Sequence, residues 1–156
     1  MKKSCTFLTF IILSLSACTR VPITGRNQLN LVPASTMDQM AVQEYKSFLS
    51  ENKVVSASSS RDVEMVQRVG SRIASAVTRY MTDNGYGDRI KDYKWEFNLV
   101  ENKEANAWCM PGGKVVVYTG ILPLTQNETS LAVVLGHEIS HAIAQHGAER
   151  MSEGLI

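Results

Sequence analysis

The sequence predicts an α+β domain in which a helix near the C-terminal end packs, with additional helices, against a small antiparallel sheet. Three observations carry this prediction. Apolar residues keep helical spacing over two early segments, 37–49 and 63–80. The period then changes to strand-like alternation from Trp95, followed by a turn at Pro111-Gly112-Gly113. Finally, an apolar run from Leu131 leads into His137-Glu138-Ile139-Ser140-His141. With 156 residues, 44% hydrophobic and 20% charged, the chain suffices for one modest domain with its own core. A formal charge of +1 leaves no basic field of the kind nucleic acid requires.

The N-terminus is expected to lie outside that domain. Met1-Lys2-Lys3 is a basic start, and Phe7 to Leu15 is apolar apart from Thr9 and Ser14. This is far short of the roughly 20 residues of a spanning helix, so residues 1–17 read as an export signal. Leu15-Ser16-Ala17-Cys18 resembles the lipobox of bacterial lipoproteins. That resemblance implies cleavage before Cys18, lipidation of Cys18 and a stable membrane anchor. Thr19, rather than an aspartate, follows Cys18, which favours an outer membrane lipoprotein facing the periplasm. Cys109 is then the remaining free thiol, and no internal disulfide is expected.

Thr19 to Val32 holds Pro22, Gly25 and Asn27 without a clear period, so 18–34 reads as a tether and 35–156 as the domain. Ser35 is the expected N-cap of the first helix, with Asp38 as its capping-box partner. Met37, Met40, Ala41, Tyr45, Phe48 and Leu49 mark its apolar face. A serine-rich loop over 56–60 leads to a second helix from about Arg61 to Met81. Its expected buried stripe is Val63, Val66, Val69, Ile73, Val77 and Tyr80, with Arg68, Arg72 and Arg79 on a solvated face. Asn84 to Asp88 is a turn-rich break. Trp95, Phe97 and Leu99 alternate with polar residues as a half-buried strand, and 105–110 and 114–119 form a hairpin across Pro111-Gly112-Gly113. Thr125 to Glu128 is the expected capping box of the last helix. Leu131 to Gly136 is apolar on every side, so that helix should be buried on most faces.

On a helix, residues four apart share a face, so His137 and His141 can aim two imidazoles at one point. That supplies two zinc ligands at about 2.0–2.1 Å each. Glu138, one residue along, can reach a water without coordinating and act as a general base in peptide hydrolysis. Polar residues on a helix are ordinarily a solvated surface. Here the apolar run leads straight into them, and buried imidazoles and a carboxylate without partners would be costly, which favours a metal site.

"NAWCMPGGKVVVYTGIL" (106–122) and "LGHEISHAIAQHGAERMS" (135–152) resemble the gluzincin metallopeptidases of the HtpX and CAAX prenyl protease-like family. "VPITGRNQLNLVP" (21–33), after the lipobox cysteine, resembles the periplasmic lipoprotein branch of that family. The resemblance implies a zincin-like fold with one Zn2+, His137 and His141 as ligands, and Glu138 as the catalytic glutamate. It implies that 114–119 is the edge strand beside the cleft. Val115, Val116 and Val117 would then bind extended substrate, with Asn106 and Ala107 just before. It implies unfolded or misassembled envelope proteins as substrates in protein quality control, at the membrane that the lipid anchor reaches.

The family's third ligand is a glutamate on a later helix, whereas this sequence ends at Ile156. The expectation is an N-terminal part of a peptidase domain, C-terminal helices missing, that holds zinc weakly on its own. His146 lies five residues past His141, about 140° around a straight helix, and reads as a packing residue or a support for a ligand. Glu149 and Glu153 continue the same helix and cannot fold back over His137. The metzincin spacing fails, because Ala144 and Gly147 stand where a glycine and a histidine are required. Cys109 reads as a small buried thiol rather than a ligand. Two other readings stay open: a weakly catalytic, chaperone-like peptide-binding module, and a gene fragment yielding little soluble protein.

Overall fold

The computed structural model describes residues 18–56 and 60–156. The expected export signal, 1–17, and the serine-loop residues 57–59 lie outside the described residues.

The segment expected as a tether is folded. β1 (Cys18–Arg20) and β2 (Asn27–Leu29) pair antiparallel, with Cys18 opposite Leu29 and Arg20 opposite Asn27. Pro22 and Gly25 sit in the connecting turn, where Ile23 (φ 74°) and Gly25 (φ 66°) take left-handed conformations. Proline and glycine mark tight turns as well as linkers, which is why composition alone does not separate the two.

Helix α1 (Ala34–Glu51) opens at Pro33, whose carbonyl accepts from the Met37 N–H at 3.1 Å. Ser35 and Asp38 therefore lie inside the helix, and no side chain caps it. Proline's φ is already set for helix entry, so the start moves upstream of the serine. Helix α2 (Arg61–Asp83) buries Val63, Val66, Val69, Gly70, Ala74 and Met81. Tyr80, expected in the stripe, is exposed, and Met81 is buried instead. A period of 3.6 carried from Val66 passes through Gly70 and Ala74, small residues that a search for bulky side chains passes over.

Gly70 is small because α2 lies close on the sheet: a Cβ there would come within 2.3 Å of the Phe97 ring. Gly70→Ala is expected to destabilise the protein by about 1–3 kcal/mol, although alanine is the better helix former. Thermal denaturation checks this; an unchanged or raised midpoint would contradict the close approach.

The sheet has three strands, β3 (Glu96–Val100), β4 (Ala107–Met110) and β5 (Lys114–Tyr118), in the order β3-β5-β4. β4 and β5 form the expected hairpin, with Gly112 (φ 76°) and Gly113 (φ 81°) in its turn. β3 pairs with β5 in parallel, so the sheet is mixed rather than antiparallel. Alternation identifies which face a strand buries and says nothing of its neighbour's direction.

β5 is the central strand, and Val115, Val116 and Val117 are fully buried. Their backbone is paired on both sides, so they are not the edge expected to receive a substrate. The outer edge of β3 is met by residues 53–55, where Val55 N–H donates to Leu99 and Glu101 N–H to Lys53, both at 2.9 Å. Among the described residues, the unpaired edge is that of β4.

Two faces of the sheet are covered. Phe97, Leu99, Ala107, Val115 and Val117 share one core with α2 and the HExxH helix. Val100, Val116 and Tyr118 meet Tyr45, Phe48 and Leu49 of α1 on the other. Lys114, also buried on the α1 side, pairs with Glu96 opposite it and donates to the Lys94 carbonyl at 2.8 Å.

After the short α3 (Leu122–Thr125) and the left-handed Gln126, α4 (Glu128–Ile143) begins. Its cap is Asn127, whose side chain accepts from the Ser130 N–H at 2.9 Å. Thr125 instead closes α3, because Pro123 in the first turn of α3 starts a separate helical turn before the cap. α4 buries one face, through Leu131, Leu135, Ile139 and Ala142, and leaves Val133 70% exposed. The expected burial on most faces is thus not found among the described residues. Gln145 (φ 57°) turns the corner into α5 (His146–Glu153). No described helix is long and apolar enough to cross a membrane.

Candidate metal centre

Leu135 and Ile139 are buried on one face of α4, and the neighbouring face carries His137, which is exposed rather than buried as expected, and the half-buried His141. Their Nε2 atoms stand 3.0 Å apart, with the rings edge to face at 4.5 Å between centroids. Two nitrogens bound to one tetrahedral zinc stand about 3.3 Å apart. The pair therefore fits a zinc ion as two of its ligands. Among the described residues no group of three His, Cys, Asp or Glu side chains converges on one point, so the described donor set is these two imidazoles.

Glu138 is half-buried between α4 and β4. Its charge is felt across that gap by Cys109 on β4: burial first, and then Glu138, push the Cys109 thiol up to about 12. Cys109 is half-buried and packs on the core, as a small thiol is expected to, and it donates to the Met110 carbonyl at 3.5 Å. Its thiol stays protonated well above neutral pH, so its alkylation in the native protein is expected to be at least about 100-fold slower than after unfolding in urea. The sign for stability follows. The unfolded thiol ionises first as pH rises, so the contribution is complete below about 8.5 and is lost above it. Mass spectrometry of the Cys109 peptide after timed iodoacetamide treatment measures the rate; equal rates in the two states would refute the burial.

His146 stands on the other side of His141, with Nδ1 to Nδ1 at 2.6 Å. Burial, and then His141, lower its pKa, which favours the neutral ring. Glu149 is engaged in a two-pronged contact with Arg26 at 2.6 Å for each oxygen. That pair lowers the pKa of Glu149. Asn106 is exposed at the head of the free edge strand and Ala107 is buried within it. Cys18 lies in β1. An apolar groove of about 650 Å³ runs beside His141, lined by Ile23, Val77, Tyr80, Gly136 and Ser140 among others.

Sequence reasoning missed that β4, rather than β5, presents the edge. It also missed the contacts of the N-terminal hairpin with α5, for which the sequence holds no local signal.

Residues 60–156 match the family described as Peptidase family M48. The chain belongs to peptidase family M48. It is 35% identical over 132 residues to the mitochondrial metalloendopeptidase OMA1 of Schizosaccharomyces pombe, covering 85% of this chain and 36% of that protein. Bovine metalloendopeptidase OMA1 is 27% identical over 148 residues, covering 93% of this chain and 27% of the relative. The beta-barrel assembly-enhancing protease of Escherichia coli is 39% identical over 59 residues, covering 38% of this chain and 12% of the relative. This M48 chain thus spans about a third or less of the length of these relatives. These relatives are named OMA1 and beta-barrel assembly-enhancing protease, not specifically HtpX or CAAX prenyl protease, so the resemblance read from the residues is shown at the level of the family.

Proposed function

We propose that this M48 chain carries the HExxH part of a zinc-dependent metalloendopeptidase that cleaves unfolded or misassembled cell-envelope proteins. The observation that carries the proposal is the convergence of His137 and His141 Nε2 at 3.0 Å beside a half-buried Glu138 whose charge is felt by Cys109 on β4. Zinc, when bound, supplies Lewis acidity toward the scissile carbonyl and lowers the pKa of water. His137 and His141 would hold it through Nε2. Glu138 takes the proton of the attacking water and returns it to the leaving amine. Extended substrate adds to β4 from Asn106 and Ala107 onward by backbone hydrogen bonds, as the central β5 cannot. The chain reaches its substrates from a membrane through lipidated Cys18. The similarity to a metalloendopeptidase and to a beta-barrel assembly-enhancing protease supports proteolysis and an envelope setting.

Two measurements test this. The weak casein hydrolysis expected of this chain, which presents two protein ligands for the metal, should stop with 1,10-phenanthroline and return with excess zinc; cleavage that survives the chelator removes the metal reading. Cys18→Ser should move the protein from the membrane to the soluble fraction of its host; continued membrane retention removes the anchor.

A further inference from the structure

We propose that His146 is a positioning residue: it sets the tautomer of His141, and the N-terminal hairpin holds it in place. The proposal rests on His141 being a metal ligand. A neutral imidazole carries one proton, so His141 can offer Nε2 to a metal only with that proton on Nδ1. The Nδ1 of His141 faces the Nδ1 of His146 at 2.6 Å. In the metal-competent arrangement His141 Nδ1–H donates and His146 Nδ1 accepts, with the His146 proton on Nε2. The reverse arrangement puts the His141 proton on Nε2, facing His137, and closes that nitrogen to a metal. A ligand histidine whose second nitrogen is hydrogen-bonded keeps both its tautomer and its ring orientation.

A straight helix would carry His146 about 140° away from His141. The chain instead breaks at Gln145, whose left-handed φ of 57° is disfavoured for a residue with a Cβ. Contacts from the hairpin hold this corner. Asn30 Nδ2 donates to Gln145 Oε1 at 2.8 Å, Arg26 grips Glu149 with both terminal nitrogens at 2.6 Å, and Leu31 N–H donates to the buried Ser152 Oγ at 2.9 Å. The 18–32 segment, which composition presents as a tether, is thus a clamp on the helix that carries His146.

The test compares His146→Leu with His146→Asn in the full chain. The two side chains are close in size, and the asparagine Oδ1 can accept where His146 Nδ1 does. Long-range 1H–15N correlation on metal-free, 15N-labelled protein reads the His141 tautomer, and competition with a chromophoric chelator reads zinc affinity. The expected result is the Nδ1–H tautomer in the wild type and in His146→Asn, and its loss in His146→Leu. Zinc affinity should fall about 10–100-fold in His146→Leu, with His146→Asn restoring most of it. A wild-type tautomer and affinity in His146→Leu, or Nε2–H on His141 of the wild type, overturns the proposal. A wild type that binds no zinc refutes the peptidase reading, while the tautomer comparison still decides the role of His146.

Discussion

Glu138→Gln is expected to retain zinc and to lose peptide hydrolysis by about 100-fold or more, the scale of a removed general base. The substitution keeps the size of the side chain and leaves His137 and His141 untouched, so metal uptake should match the wild type. What it removes is the half-buried carboxylate next to the histidine pair. A second readout comes with it. Glu138 is the lesser of the two causes that raise the Cys109 thiol, so Cys109 should alkylate faster in the variant, with burial still holding it above its ordinary value. Zinc stoichiometry by metal analysis, casein hydrolysis and the Cys109 rate check the three parts. Hydrolysis within tenfold of the wild type would mean that Glu138 is not the base.

Leu135→Ala is expected to destabilise the fold by about 2–5 kcal/mol, the range for emptying a buried leucine site. Leu135 is fully buried, between Leu131 and Ile139 on the face of α4 that meets the core. A domain of this size has about 5–15 kcal/mol in total, so this one change consumes a large fraction of it. The effect should reach the histidine pair, because the packing of Leu135 and Ile139 fixes the rotation of the helix that carries His137 and His141. Urea unfolding measures the loss, with an unchanged m-value showing that the unfolded state is not altered. A loss below about 1 kcal/mol would contradict the packing of α4.

The convergence of the two histidines was legible because it is local. His137 and His141 are one helical turn apart, and any helix through them brings their imidazoles together, as the 3.0 Å separation shows. The hairpin β4–β5 was legible for the same reason, since Pro111-Gly112-Gly113 dictates a reversal within a few residues. The limits of α2 likewise followed from periodicity to within two residues at its end. What failed were choices between competing local signals: Ser35 against Pro33, and Thr125 against Asn127 as caps. In both cases a proline, Pro33 or Pro123, shifts the start of the helix away from the residue whose side chain suits a cap.

The amino-acid sequence by itself determined the α+β class, the HExxH helix and the two imidazoles and carboxylate it displays, because helical and strand periods place neighbours within a few residues of one another. Tertiary structure alone decided three things: that β5 lies at the centre of the sheet, that β4 keeps the free edge, and that the 18–32 hairpin reaches Gln145, Glu149 and Ser152 more than a hundred residues away. Strand order and long-range clamps depend on which surfaces bury one another after the chain has folded, and no short-range pattern encodes that.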